Sequence, residues 1–260
     1  MKKTKTLSLS LSLILIFIFG MAGPANAAVV LLQPGDFVGI TFWLASMGMA
    51  ATTVFLFIER GTIAAAWRTP VTVVGVITGI AFLHYMYMRS VWVQTGDLPT
   101  LYRYVDWIIT FPLQAITFYL ILATSKKVPT VIFWRLLLAA LIMTFSEYLG
   151  EAGHLQSFMA FIIAMIGWIY ILFEIYSGEL SRICGRSGNR TLVNAYNSMR
   201  MIVTIGWAIY PLGYIFGYMT SGVDSSALNV IYNLADFVNK IGFGLIVWNA
   251  AINNTYLSRR

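Results

Sequence analysis

Seven long apolar segments dominate this sequence and restrict it to one kind of fold. Short polar breaks separate them, and they cover roughly residues 36–58, 69–92, 99–123, 129–149, 155–177, 192–219 and 226–251. Each is close to the length of about 20 residues that an α-helix needs to cross the hydrocarbon core of a bilayer. All seven are expected to be helices, because lipid offers no hydrogen-bonding partner to an open strand edge. The sequence therefore predicts an all-α membrane protein, a seven-transmembrane-helix bundle.

The composition excludes a soluble domain. Hydrophobic residues make up 59% of the chain and charged residues only 10%, too few polar side chains to cover a surface that faces water. The single cysteine, Cys184, precludes an intramolecular disulfide and a cysteine-based metal cluster, and in its polar stretch it is expected to be a spare thiol. The net charge of +7 requires no nucleic-acid partner, because membrane proteins collect Lys and Arg in their cytoplasmic loops.

Residues 1–27 have the pattern of a secretory signal peptide. A basic start with three lysines precedes an apolar run, 7–19, that is too short to span a bilayer, and Ala25-Asn26-Ala27 is a small-residue cleavage site. Cleavage would leave a single transmembrane domain of residues 28–260. The alternative is an uncleaved N-terminal anchor.

Charges in the polar breaks predict the orientation of the bundle. The cationic breaks carry Arg60 and Arg68, then Lys126 and Lys127, then Arg182, Arg186 and Arg190, and finally Arg259 and Arg260. They alternate with breaks that carry Asp97, Glu151 and Asp224 and few cations. The positive-inside rule then places the mature N-terminus outside and the C-terminus in the cytoplasm, as expected for a multi-pass protein of the bacterial inner membrane.

Lys240 lies in the middle of the last apolar segment, and Asp236 precedes it by four residues. Residues with this spacing share one face of a helix. A Lys or an Asp at the centre of a membrane helix costs roughly 2.5–3.5 kcal/mol on insertion scales, so such residues usually face the bundle interior and mark an ion path, a proton relay or a bound ligand. Lys240 is therefore predicted to be the functional centre of the chain.

The third segment carries a second polar group. At about 100° per residue its side chains drift slowly round one side of a helix, so they can all face the interior: Arg103, Asp106, Trp107, Thr110, Gln114 and Thr117. Two acids with one Arg and one Lys form a neutral quartet that can be buried together. In the alternative interpretation Arg103 is a snorkelling residue at the helix end and Asp106 is its partner.

The buried lysine indicates imine chemistry. Burial among apolar side chains favours the neutral amine of a lysine, which can form an imine with an aldehyde. Once protonated, the imine needs an anion beside it, and two aspartates on different helices can supply one. Aromatic residues in the middle thirds of their segments then describe a pocket for an elongated apolar aldehyde joined to Lys240, although such residues also serve packing: Trp107, Trp168, Trp207 and Tyr210.

With these pieces in place, the chain resembles the microbial rhodopsins over all seven segments, and within them the proteorhodopsins. The most specific motifs are Arg103-Tyr104-Val105-Asp106-Trp107, Trp207-Ala208-Ile209-Tyr210-Pro211 and Leu234-Ala235-Asp236-Phe237-Val238-Asn239-Lys240. The resemblance implies all-trans retinal linked to Lys240 as a protonated Schiff base.

The resemblance also implies roles for individual residues. Asp106 would be the primary counterion and proton acceptor, Asp236 the second counterion, and Arg103 the gate of the outward proton path. His84 would hydrogen-bond Asp106, and the alternative is a structural histidine between helices. The residues implied to lie against the polyene or the ring are Trp107, Met143, Trp168, Trp207, Tyr210 and Pro211.

Two positions of the third segment decide what kind of rhodopsin this resembles. In the outward proton pumps of the family a carboxylic acid stands eleven residues after the counterion and donates a proton from the cytoplasmic side. Here that position is Thr117, whose hydroxyl does not lose a proton near neutral pH, so slow reprotonation is expected. Gln114 resembles the spectral-tuning position, where Gln goes with blue-absorbing members; the alternative is a glutamine that joins two helices. Asp106 and Thr110 remain available for proton release toward the outside.

Three classes of function follow. The sequence predicts a light-driven outward proton pump, an ion transporter rather than an enzyme, which has no metal, acts on protons within lipid and forms a homo-oligomer. The alternative is a sensory rhodopsin that signals through a separate transducer. The third class is a receptor or enzyme that merely uses the seven-helix fold, and in it Lys240, Asp236 and Asp106 would have no function. Three further acids near the predicted helix ends are expected to be solvated: Glu147, Glu151 and Glu174.

Overall fold

The structure, a computed structural model, describes residues 33–97, 99–219 and 224–257. Within these ranges seven helices are long and apolar enough to cross a membrane, which confirms the predicted fold class. The signal peptide predicted for residues 1–27 lies outside the described residues, and so do the terminal Arg259 and Arg260.

The first five spanning helices lie close to their predicted positions. Helix one is Phe37–Glu59, helix two Arg68–Thr95, helix three Thr100–Ala123, helix four Thr130–Glu151 and helix five Ser157–Tyr176. A 3₁₀ turn, Ala65–Trp67, leads into helix two. Helix two extends beyond its predicted end and stops at Gly96, whose φ of 71° is the left-handed conformation that glycine adopts readily at a helix C-terminus.

The last two spanning helices contain wider, π-helical turns. Helix six is α-helical over Arg190–Met201 and Trp207–Tyr214, with π turns at Ile202–Gly206 and Ile215–Met219. Helix seven consists of Ser225–Asp236, a π turn at Phe237–Ile241, and Gly242–Leu257. Single π turns inside α-helices are frequent at functional sites, and the one in helix seven contains Lys240.

A short helix, Glu179–Gly185, follows helix five and corrects two predictions. Cys184 lies on this helix and is buried with a free thiol, not placed in a polar loop. The carboxylate of Glu174 accepts a hydrogen bond of 3.0 Å from the backbone N–H of Leu180, so Glu174 is buried where a solvated acid was expected. Glu147 is buried as well, while Glu151 is partly exposed.

Helix three lies at the centre of the bundle, packed against helices two, four and six. Its outer face is apolar and exposed at Leu101, Val105 and Ile109. Its inner face holds the polar side chains that the sequence placed on one side of the helix, and all of them are fully buried: Arg103, Asp106, Thr110, Gln114 and Thr117. A helix of this kind is stable in lipid only if neighbouring helices supply partners for its polar face.

Candidate functional site

Lys240 is buried between two carboxylates. Its Nζ lies 3.1 Å from Asp236 Oδ2, one helical turn earlier on helix seven, and it contacts Asp106 Oδ2 on helix three. None of the three side chains has solvent-accessible surface. The predicted grouping of one lysine with two aspartates from different helices is therefore present, and it holds an amine among groups that stabilise its positive charge.

The two aspartates have different surroundings. Asp236 Oδ2 accepts hydrogen bonds from Tyr85 at 2.7 Å and Trp107 at 3.3 Å, and its Oδ1 accepts one from Tyr210 at 2.6 Å. Within the described residues Asp106 Oδ1 has no hydrogen-bond partner. The carboxylate of Asp236 is therefore held in place by side chains of three other helices. Asp106 is the carboxylate with acceptor capacity to spare.

Arg103 reaches the aspartates only indirectly, which corrects the picture of a four-membered ion cluster. Its Nη1 donates a 2.9 Å hydrogen bond to the Tyr85 hydroxyl, which in turn donates to Asp236. Its Nη2 donates to Asn229 Oδ1 at 3.0 Å and to Asn233 Oδ1 at 2.8 Å. The guanidinium is fully buried, so the snorkelling interpretation is wrong.

His84 and Thr110 flank Asp106. His84 Nδ1 lies 3.4 Å from Asp106 Oδ1, within ion-pair distance if the imidazole is protonated, and the His84 side chain is 24% exposed. The Thr110 hydroxyl donates a 3.0 Å hydrogen bond to the backbone carbonyl of Asp106 and so lies beside the carboxylate without binding it. Asp106 thus faces the lysine on one oxygen and the histidine on the other.

Several polar residues of this site were not assigned from the sequence. Asn229 and Asn233 bind Arg103, Tyr85 bridges Arg103 to Asp236, and Asn233 also donates to Thr41 at 3.0 Å. A signal for the asparagines exists, because helix seven carries a stripe of polar residues at helical spacing that leads to Lys240. The role of Tyr85 has no such signal, since an isolated tyrosine on a membrane helix is ordinarily a packing residue.

Gln114 and Asn239 join helices three, six and seven behind Lys240. Gln114 Nε2 donates to the Asn239 carbonyl at 3.3 Å, and Asn239 Nδ2 donates to the Gly206 carbonyl at 3.0 Å. A Cβ on Gly206 would overlap the Asn239 side chain and come 2.8 Å from its Cγ, so only glycine permits this approach. Gln114 thus does join helices, and its Oε1 is buried without a partner among the described residues.

A cavity opens between helices three to six. Most of the aromatic and sulfur-containing residues predicted to contact retinal line it, together with four that were not predicted. Its wall consists of Phe111, Met143, Glu147, Ala164, Met165, Trp168, Trp207, Tyr210 and Pro211. Trp107 and Gln114 do not line this cavity; Trp107 packs against the wall residue Phe111, and Gln114 binds the backbone of Asn239, the neighbour of Lys240. The walls are apolar and aromatic, as expected for an elongated hydrocarbon ligand.

Phe111 stands between the two tryptophans that the sequence placed along the ligand. Its ring is stacked on Trp207, with centroids 4.6 Å apart and an interplanar angle of 12°, and is nearly parallel to Trp107 at 5.7 Å and 16°. Trp207 Nε1, like Gln114 Oε1, is buried without a hydrogen-bond partner among the described residues. The flat aromatic rings of the wall and the buried amine of Lys240 fit a bound polyene aldehyde.

Thr117 lies farther along helix three, about 16 Å from Asp106 at 1.5 Å per residue. Its hydroxyl donates a 2.6 Å hydrogen bond to the backbone carbonyl of Leu113 and the side chain is fully buried. The neighbouring Phe118 packs edge-on against Tyr196 and Phe243. The Thr117 hydroxyl is therefore hydrogen-bonded within its own helix, and aromatic side chains pack next to it.

The comparison with known families decides the relationship. The model of bacteriorhodopsin-like proteins matches residues 36–254. The chain belongs to the bacteriorhodopsin-like family. A blue-light absorbing proteorhodopsin of Gamma-proteobacterium Hot 75m4 is 51% identical over 226 residues, which cover 86% of this chain and 90% of that protein. A green-light absorbing proteorhodopsin of Gamma-proteobacterium EBAC31A08 is 48% identical over 225 residues, with coverage of 86% and 90%.

Solved structures agree with this assignment. The crystal structure of the blue light-absorbing proteorhodopsin from Med12 superposes with a TM-score of 0.72 at 46% identity, covering 84% of this chain and 100% of that one. Sensory relatives are more distant, since sensory rhodopsin-2 of Natronomonas pharaonis is 29% identical over 228 residues, covering 82% of this chain and 90% of that protein.

Membership of this family identifies the cofactor and shows that the protein lies in a membrane. Rhodopsins of this family bind retinal as a Schiff base on a lysine, so retinal is the cofactor of this protein and the buried Lys240 is its lysine. The protein is a multi-pass membrane protein of a family of light-driven ion pumps and photoreceptors, which are not enzymes.

Proposed function

We propose that the protein is a light-driven proton pump that moves protons out of the cell, and that it lies in the inner membrane with the C-terminus in the cytoplasm. The observation that carries this proposal is the burial of Lys240 against Asp106, a carboxylate whose other oxygen accepts no hydrogen bond from the described residues and lies 3.4 Å from His84 Nδ1. Retinal bound at Lys240 would supply the absorption of visible light and the change of geometry that drive proton movement.

The residues around Lys240 divide the work of proton release. Asp106 contacts the Lys240 nitrogen and accepts its proton, because Asp236 is already stabilised as an anion by three side-chain donors. His84 lies 3.4 Å from Asp106 Oδ1 and can share the negative charge of Asp106 when protonated, while Thr110 donates to the backbone carbonyl of Asp106. Asp236, 3.1 Å from the Lys240 nitrogen, stabilises the positive charge there when the proton returns.

Arg103 supplies the outward continuation of the path. Under the proposed orientation it lies between Asp106 and the outer surface, one turn before Asp106 on helix three. It is bound to Tyr85, Asn229 and Asn233 by neutral acceptors, with no direct ion pair to either aspartate among the described residues. The positive charge of Arg103 is therefore not offset by a direct ion pair with an aspartate among these residues. Once Asp106 becomes neutral, this charge favours release of a proton toward the outside.

Illumination of intact cells tests the proposal directly. Cells that express the protein and receive retinal should acidify a weakly buffered medium in the light, and a protonophore should abolish the change because it short-circuits any proton gradient. Cells without retinal serve as the control. Alkalinisation of the medium in the light would overturn the outward direction, and no change in pH with an intact visible band would overturn the pump.

A sensory function is the second candidate, and Thr117 is the observation that favours it. A photoreceptor has no need for fast reprotonation and can dispense with a donor acid, whereas a pump gains turnover from one. Signalling would require a separate membrane partner, and the exposed apolar surface of the helices, including Trp43 and Trp134, is available to lipid or to such a partner.

We propose that copies of the chain associate as a homo-oligomer, for which the same exposed apolar surface is available.

Thr117→Glu should accelerate the slow step of the cycle. With a threonine at this position and apolar packing around it, the returning proton must come from cytoplasmic water through a transient opening. Recovery of the dark absorption band after a flash should therefore slow in the wild type as pH rises, and azide, a diffusible proton carrier, should speed it. A glutamate would hold a proton close by, so recovery should become about tenfold or more faster and less dependent on pH.

A matched control for this variant is Thr117→Gln, which has the size of glutamate but no proton to give. It should recover as slowly as the wild type and still respond to azide. A wild-type recovery that is already fast and independent of pH would mean that another group donates the proton, and the buried Glu174 near the same end of the bundle would then be the first residue to replace.

A further inference from the structure

Glu147 is a buried acid that the pump mechanism does not use. It lies on helix four, one turn beyond Met143, and its side chain is only 7% exposed. It forms part of the cavity wall together with Trp168, Tyr210 and Pro211. Among the described residues none forms a hydrogen bond or an ion pair with its carboxyl group.

Three polar groups of this part of the bundle have hydrogen-bond partners other than Glu147. The Tyr210 hydroxyl donates to Asp236 at 2.6 Å, Trp168 Nε1 donates to the Val203 carbonyl at 3.0 Å, and the Tyr214 hydroxyl donates to the Ser157 carbonyl at 3.2 Å. Helix five contributes only Ala164, Met165 and Trp168 to the wall, none of them charged. A buried polar group without a partner is unfavourable, so a carboxyl left unpaired inside a ligand cavity points to a partner on the ligand.

A second wall residue also lacks a partner. The indole N–H of Trp207 lines the same cavity and is buried without an acceptor in the described part of the chain. The cavity therefore offers both an acceptor, on Glu147, and a donor, on Trp207. Apolar retinal satisfies neither of them.

The position of the cavity shows which end of the ligand meets Glu147. Its wall includes Tyr210, which binds Asp236, but it includes neither Lys240 nor Asp106. A retinal joined to Lys240 would enter with its aldehyde end at the lysine and extend its ring into the cavity. Glu147 would therefore lie beside the ring end of a retinal bound in this way.

We propose that this pocket is built for a retinal whose ring carries a hydroxyl group, and that Glu147 is the residue that determines this specificity. A hydroxyl can donate to a carboxylate and can accept from a carboxylic acid, so it suits Glu147 in either charge state. The inference rests on the proposed binding of retinal at Lys240 and goes further by naming the class of retinal.

Competition between retinals on the complete protein in membranes tests the specificity. Equal amounts of all-trans-retinal and either all-trans-3-hydroxyretinal or all-trans-4-hydroxyretinal are added in excess, and the bound chromophore is extracted and quantified. The wild type should retain one of the hydroxylated forms over retinal by about tenfold, the gain expected from one hydrogen bond to a charged or strongly polar group. Glu147→Leu should lower this ratio to about one or below, and Glu147→Gln should retain part of it because an amide still pairs with a hydroxyl.

The matched control is Glu151→Gln, which changes the next acid along helix four, outside the cavity wall. It should keep the wild-type ratio. A wild-type ratio near one for both hydroxylated forms, or an equal ratio in the wild type and Glu147→Leu, would overturn the inference. Failure of the underlying function looks different, since then no retinal would give a visible band with the wild type, or the band would survive Lys240→Ala.

Discussion

Lys240→Ala should abolish the visible absorption band that forms when retinal is added to membranes containing the wild-type protein. Only an amine can form the imine that joins the aldehyde to the protein. Lys240 supplies that amine in a dry site between Asp106 and Asp236, which stabilise the positive charge responsible for absorption in the visible. With Gln114 close behind the site, the wild-type band should lie toward the blue. The measurement is a difference spectrum before and after retinal addition.

Lys126→Ala is the control for this variant, because it removes an exposed lysine from the loop between helices three and four. Its band should equal that of the wild type. Both proteins should then be denatured, which separates a covalently bound chromophore from one held only by the pocket. Retinal that remains covalently attached to denatured Lys240→Ala at the wild-type level would show that another amine carries it.

The prediction of Lys240 as the centre of the site followed from one quantity, the free energy of placing a charged side chain in lipid. Charged residues in the middle of apolar segments are so unfavourable in lipid that they must meet inside the bundle. That argument brought Lys240, Asp236 and Asp106 together before any contact was known, and the three side chains do meet. The same reasoning placed the polar side of helix three toward the interior, where it lies.

The partners of the charges could not be obtained in this way. Charge balance suggested that Arg103 pairs with an aspartate, but the guanidinium is satisfied by neutral oxygens of Tyr85, Asn229 and Asn233. The choice depends on the angle and spacing between helices two, three and seven, which no local pattern encodes. The π turn at Phe237–Ile241 likewise has no signal in the sequence pattern; Asn239, within this turn, donates a hydrogen bond to the Gly206 carbonyl of helix six.

Burial of the acids near helix ends also depended on neighbours that are distant in sequence. Glu147 lies within two turns of the end of helix four, so its position alone indicated a solvated side chain. Helices five and six, with Trp168 and Pro211, close over it and make it part of the cavity wall. Distance from a helix end measures depth along one axis, whereas exposure depends on what packs alongside.

Asp106→Asn should stop outward pumping. An amide of nearly the same shape keeps the packing but cannot take the proton that leaves the Lys240 nitrogen, so the light-driven flux should fall by about a hundredfold or to the level of retinal-free cells. Asp97→Asn is the control, because it alters an exposed acid between helices two and three and should pump normally. The measurement is the initial rate of light-driven acidification, normalised to the visible band.

The colour of the same variant identifies the counterion independently of transport. A negative charge beside the Lys240 nitrogen stabilises the ground state of the chromophore more than the excited state, in which positive charge moves away from the nitrogen. Acidification of the wild type should therefore shift its band to longer wavelength as Asp106 becomes neutral, and Asp106→Asn should show the shifted band at every pH at which the nitrogen keeps its proton.

If Asp106→Asn retained the wild-type change of colour with pH, the titrating group would have to be Asp236 or His84. Asp236 is the weaker alternative, because Tyr85, Trp107 and Tyr210 already donate hydrogen bonds to its carboxylate. His84 is the stronger alternative, because its Nδ1 lies 3.4 Å from Asp106 Oδ1, and His84→Gln combined with Asp106→Asn would then remove the remaining change of colour.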